Sequence, residues 1–111
     1  MTRVYVPATL TDLARYAADG LVPSSADRLV ATGDDEESEY AALSEAATES
    51  SALLNGPGRR VVVVADVVDA DGEIAMSAVV AVHCDTRDRP PGADPDEDLA
   101  WFATQEIPEL V

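Results

Sequence analysis

Arg59–Val68, RRVVVVADVV, is a nearly continuous run of β-branched residues. A strand wetted on one side would alternate apolar and polar residues. An unbroken run suits a central strand covered on both faces, or one with a thin polar side. Asp69-Ala70-Asp71-Gly72 follows with turn composition, and Gly72 stands where a positive φ is convenient. Glu73–Val82 then resumes an apolar strand, so the two runs read as a hairpin.

Working outward from that hairpin, Arg3–Pro7 alternates Val4 and Val6 with Arg3 and Tyr5, a strand pattern that Pro7 stops by removing a donor. Thr9 suits a helix N-cap with Asp12 as its capping-box partner. Leu13, Tyr16 and Ala17 follow at helical spacing and Gly20 suits the C′ position, which predicts a helix over Leu10–Asp19. Leu21–Ser25, carrying Pro23, reads as a loop, Asp27–Thr32 as a short strand, and Gly33 as a turn.

A second helix is predicted over Asp34–Leu54. Asp34 is the expected N-cap, Glu37 its box partner, and Asp35, Glu36 and Glu37 place negative charge where the helix dipole favours it. Tyr40, Leu43, Ala47 and Leu54 mark the expected apolar face, and Gly56-Pro57 closes the helix. No cation occurs between Asp34 and Leu54, and Asp35/Glu39 and Glu45/Glu49 repel at i,i+4. This helix must be held by packing on a sheet. Further on, Asp85–Asp98 reads as an exposed loop, Leu99–Thr104 (LAWFAT) as a last strand, and Ile107–Val111 as a short tail.

The order is β-α-β-α-β-β-β in a single α/β domain over residues 1–111. The expected architecture is a two-layer sandwich with a mixed sheet of about five strands. Right-handed crossovers would make the first three strands parallel and place both helices on one face, with the hairpin adding antiparallel strands.

The chain has 111 residues, 22 Asp and Glu against 7 Arg, no Lys, and a formal charge of −15. Nucleic-acid binders carry basic patches to neutralise phosphates, so this balance argues against nucleic acid, and an anionic membrane surface would repel it equally. A basic partner would be attracted. The acidic runs Asp34–Glu39 and Asp94, Asp96, Glu97, Asp98 read first as solvated faces, and second as a surface imitating a phosphate backbone. The lone Cys84 allows no internal disulfide, and MTRVYVPATL lacks a continuous apolar stretch, which together lead to the expectation of a cytoplasmic protein. Aromatic residues are only 5% of the chain. Trp101 and Phe102 would face opposite ways on a strand. The small size of the other core residues favours both being buried, and an exposed one would be an interface anchor.

No phosphate-binding, nucleophile-elbow or zinc-protease pattern occurs, and no cofactor or metal site is expected. Asp69–Glu73 (DADGE) has calcium-loop flavour, but aligning Gly72 to the glycine position puts Val67 and Ala78 at ligand positions. His83 is the only histidine and Cys84 the only cysteine, and as strand neighbours they point apart, so zinc is not supported. A carboxylate magnesium site using Asp85 with Asp66 or Glu106 has no supporting pattern either. His83 reads first as a hydrogen-bonded residue at a strand end and Cys84 as a small core residue. The weak catalytic candidates are His83 and Asp85, which would share a face, with Thr9 and Gln105 at strand ends.

The motifs RVYVPATL (Arg3–Leu10), EYAAL (Glu39–Leu43), AVHCD (Ala81–Asp85) and LAWFATQEIPEL (Leu99–Leu110) resemble a family of small, acidic, uncharacterised actinobacterial proteins, a domain of unknown function. The resemblance spans nearly the whole chain, and its two terminal motifs are the specific ones. Relatives often carry a longer, partly helical stretch before the last strand, whereas Thr86–Glu97 here is short and proline-rich. The resemblance carries no activity. Three functional expectations stand: a non-catalytic binding or regulatory module with a basic protein partner or a homodimer contact; a small enzyme or ligand-binding protein with a pocket near His83 and Asp85; and an acidic mimic.

Overall fold

The computed structural model describes residues Met1–Val111. Seven strands and three helices follow in the order β1 (Thr2–Ala8), α1 (Leu10–Asp19), β2 (Leu21–Val22), β3 (Leu29–Val30), α2 (Glu36–Ala52), β4 (Val61–Val67), β5 (Ile74–Ala75), β6 (Val79–Cys84), β7 (Ala100–Phe102) and α3 (Ile107–Leu110). The main sheet runs β3-β1-β4-β6-β7, and β2 pairs with β5 as a separate two-stranded ribbon. The class is mixed α/β, with about the expected number of strands in nearly the expected order.

The pairing direction differs from the expectation. Every pair in the main sheet is antiparallel: β1 with β3, β1 with β4, β4 with β6, and β6 with β7. β3 and β4 flank β1, both antiparallel to it, and are therefore parallel to each other with β1 between them. The crossover logic does apply to the β3-α2-β4 unit, but across an intervening strand, which lays α2 over β1. The first helix connects no parallel neighbours, because the chain detours through β2 before returning as β3.

The helices also sit on opposite faces of the sheet, not on one. Leu13 and Tyr16 of α1 pack with Val4, Val6, Val61, Val63, Ala65 and Val67, joined by Val22 and Ile74 from the ribbon and Ile107 from α3. Ala42, Ala46 and Ala47 of α2 pack on Tyr5, Val62 and Val64. The unbroken β-branched run of β4 is thus covered on both sides, and its alternate residues serve two cores. The expectation of two helices on one face conflicts with that same run, since a sheet covered on one side alone would leave Val62 and Val64 wet.

Local signals in α1 act as the residues require. Thr9 accepts from the Asp12 N–H while the Asp12 carboxylate accepts from the Thr9 N–H, and Gly20 closes the helix at φ 76°. In α2 the cap shifts by one residue: Asp35, not Asp34, accepts from the Ser38 N–H, so Glu37 is not a box partner. Its buried stripe is Ala42, Ala46, Ala47 and Ser50, while Tyr40 is 58% exposed and Leu43 is half-buried. The reason is steric. The sheet face beneath already carries Tyr5, Val62 and Val64, so only small side chains let the helix axis approach, and bulkier ones move to its flank.

Further differences concern the loops, the second hairpin arm and the tail. Leu21–Val22 is a strand instead of a loop, paired with Ile74–Ala75. The second arm of the hairpin is interrupted by a 3-10 turn at Met76–Ala78, and a bulge opposite Val64/Ala65 leaves Val80 turned outward. Gly72 does not take a positive φ. A side chain there would instead press on the Asp69 carboxylate, which accepts from the Asp71 N–H within the turn. The tail forms a 3-10 turn at Thr104–Glu106 followed by α3.

Candidate functional site

α2 covers only the β3-β1-β4 half of its face of the sheet. Toward β6 and β7 the face is open, and a groove of about 370 Å³ lies between the helix flank and these strands. Tyr40 and Leu43 form the helix wall. Tyr5, Val64, Ala81 and His83 form the floor, since they alternate onto this face of β1, β4 and β6. Val80, pushed out by the bulge, and Trp101 of β7 form the outer lip, with Trp101 set directly opposite His83 across the β6–β7 ladder.

The expectation that Trp101 and Phe102 are both buried is corrected. Phe102 faces the α1-side core, whereas Trp101 is 60% exposed. Val80, at 40% exposed, stands beside it, and Tyr40 faces the pair from the helix. The Tyr40 hydroxyl donates to Asp98 Oδ1 at 3.3 Å, tying α2 to the segment that leads into β7.

The polar end of the groove is an arginine held by two carboxylates. Arg3 Nε and Nη2 donate to Asp66 at 2.9 and 3.1 Å, and Nη1 donates to Glu39 at 3.3 Å. The hydrogen bond from Arg3 holds the Asp66 carboxyl below its usual range. Burial raises the Tyr5 phenol, helped by the charge of Glu39, to which its hydroxyl donates at 3.5 Å. Burial lowers the His83 imidazole from its ordinary value, so it is neutral at pH 7. The groove's two basic side chains are thus silent, one by pairing and one by neutrality.

The weak catalytic candidates are not assembled. His83 lies on the groove floor, and its ring makes no hydrogen bond to a protein group. Asp85 is 5% exposed and belongs to a buried cluster at the far end of β6. Arg60 donates to it from Nε at 2.9 Å, from Nη2 at 2.8 Å and from its backbone N–H at 2.8 Å, and Arg89 Nη1 stands at 3.9 Å. Burial raises the Asp85 carboxyl, but the Arg60 hydrogen bonds and charge, with the Arg89 charge, outweigh it and leave the net shift downward. Thr9 is occupied as the α1 cap, and Gln105 is exposed in the 3-10 turn. Asp66 and Asp85, considered above as magnesium ligands, are each engaged by arginine.

The Arg60–Asp85 cluster also corrects the reading of residues 85–98 as simply exposed. Arg60 Nη1 and Nη2 donate to the carbonyls of Pro95 and Glu97, and Arg89 Nη2 donates to that of Asp94, so buried guanidiniums clamp the loop. This cluster went unseen in the sequence, although a signal existed. Given the hairpin, Val61 opposite Cys84 places Arg60 opposite Asp85. Arg3, Tyr5, Glu39 and Val80 were equally unmarked. Their convergence depends on register and on the bulge, neither of which periodicity encodes.

Cys84 is fully buried, and burial pushes its thiol up to about 11, which removes it as a nucleophile. No helix is long and apolar enough to cross a membrane. Comparison with curated proteins finds no match. Comparison with solved structures finds none either. The sequence does match a family model over residues 2–111, covering all the motifs quoted above and both walls of the groove, and the chain therefore belongs to the family of unknown function DUF6912.

Proposed function

We propose that this protein is a non-catalytic binding module of the cytoplasm, whose open half-face between α2 and β7 takes up a partner protein. The observation that carries the reading is the convergence of Tyr40, Val80 and Trp101, from three separate elements, on one groove. Scattered exposed apolar residues are ordinary, whereas a contiguous patch with a polar rim marks an interaction surface. Tyr and Trp are the side chains that most often anchor interfaces. In a chain with 1 Trp and 3 Tyr, leaving Trp101 and Tyr40 wet forgoes burial that the small-residue core would have gained.

The competing reading as a small enzyme needs His83 within reach of a carboxylate that orients or relays a proton. Its imidazole has no such partner, and the nearby tyrosines and carboxylates bond to one another. A homodimer built on β7 would bring together two chains of −15, so a partner of other charge suits the surface better.

The test is photo-crosslinking from position 101 in native extract, with a control crosslinker at Val68, which is exposed just past the end of β4. A discrete adduct from position 101 that is absent from position 68 and lost on Tyr40→Ala supports the reading. Adducts of equal yield from both positions, or none from position 101, overturn it.

A further inference from the structure

We propose that the groove recognises arginine: its occupant is an extended, arginine-bearing segment of the partner, laid along β7 with a guanidinium between Trp101 and Tyr40 and facing Glu39 and Asp98. The inference rests on the binding-module reading and adds the chemistry of the partner.

Three observations carry it. First, the walls are π faces and carboxylates in the combination a guanidinium matches. Arg stacks on Trp and Tyr and offers a planar fork to a carboxylate, which a compact ammonium does not. Second, nothing cationic inside the groove competes. Arg3 is already paired with Asp66 and Glu39, so an incoming cation meets Glu39 on the groove lining and Asp98 beside the Tyr40 hydroxyl, with Arg3 as the one cation to offset them. An anionic ligand meets a single cation, Arg3, which two carboxylates already share. Third, the field of the whole chain, −15, draws a basic segment in and repels acidic ones.

The shape selects a length of chain over an enclosed small molecule. β7 is the last strand of the sheet, so beyond Trp101 no element closes the groove. The Tyr40–Asp98 hydrogen bond sets the helix wall and the β7 wall relative to each other, so an occupant meets a preformed slot.

The experiment titrates the intact protein with a capped Arg-Val-Arg-Val-Arg peptide, read by the fluorescence of Trp101, the single tryptophan. Matched peptides carry citrulline, lysine or glutamate in place of arginine. The expected result is a blue-shifted, saturable response to the arginine peptide, weakened about tenfold or more by citrulline and less by lysine. Glu39→Gln and Asp98→Asn should each weaken binding severalfold, whereas Glu109→Gln, an equal change of charge on distant α3, leaves it unchanged. Equal weakening by Glu109→Gln reduces the effect to the general field of the protein and overturns the inference, as does equal binding of the citrulline peptide. Trp101→Phe, followed calorimetrically, should retain part of the affinity, and a full loss with an unaltered circular dichroism spectrum still supports the stacking. If position 101 crosslinks a partner while no arginine peptide binds, the recognition of arginine fails and the binding-module reading stands. If neither occurs, both fail.

Discussion

Arg60 and Asp85 face each other at the open end of the β4–β6 hairpin, joined by a fork of two charge-assisted hydrogen bonds at 2.9 and 2.8 Å, with side chains only 3% and 5% exposed. Removing one partner from such a pair strands a charge away from water. Asp85→Ala should cost about 3–5 kcal/mol, measured by urea unfolding. The double variant Arg60→Met/Asp85→Leu should be less destabilised than Asp85→Ala, because the Arg60 charge is removed together with its partner and Arg89, which also faces Asp85, keeps Glu97 at 3.5 Å. It should still loosen residues 94–98, seen as faster amide exchange there, since the Arg60 donors to Pro95 and Glu97 are gone. A double variant less stable than the single one would show that the fork itself, not its desolvation, dominates.

Ser50 joins the two ends of a different pair. Its hydroxyl donates to the Ala8 carbonyl at 2.7 Å and accepts from the Val61 N–H at 2.8 Å, fastening α2 to β1 and β4 where their ladder ends. Ser50→Ala leaves two buried main-chain groups unsatisfied and should cost roughly 1–3 kcal/mol by the same measurement. A neutral result would mean that water enters the gap.

His83 makes stability depend on pH in a definite direction. Burial lowers its folded pKa below the ordinary value of 6.5. As pH falls from near 6.5 toward the folded value, the unfolded chain binds the proton first, so stability present at pH 7 is lost on acidification. Because 1 His is present, His83→Phe should abolish the slope of the urea midpoint between pH 7 and the carboxylate range. Arg3, Glu39, Tyr5 and Tyr40 line the same groove, and the His83→Phe variant leaves all four in place. An unchanged slope in the variant assigns the effect elsewhere.

Salt should stabilise the protein. α2 carries no cation of its own, and its one ion pair comes from Arg3 to Glu39. With 22 acidic residues against 7 basic, screening removes more repulsion than attraction. The melting temperature is expected to rise by several degrees between low and moderate NaCl, and a fall would mean that the arginine pairs outweigh the net field.

Legibility followed the range of the interactions. α1 was readable to the residue, because Thr9, Asp12 and Gly20 act within a turn of one another. The course of α2 was readable, but its buried stripe was not. Helical spacing identifies faces by apolarity, whereas the sheet beneath selected Ala42, Ala46 and Ser50 by size. An exposed Trp101 is an anchor by its chemistry, yet its exposure depends on α2 stopping short of β7, a fact of tertiary placement.

By itself the sequence determined the two long helices, the hairpin and its valine-rich centre, the family, and the net charge of −15, because each follows from local propensity, periodicity or composition. The tertiary structure alone decided that the strands run antiparallel, that the helices lie on opposite faces, and that Arg3, Glu39, Tyr40, His83 and Trp101 share a groove. Strand direction, register and helix side arise from contacts between residues far apart in the chain. The period-two pattern that marks a strand is the same whichever neighbour it meets and whichever way that neighbour runs.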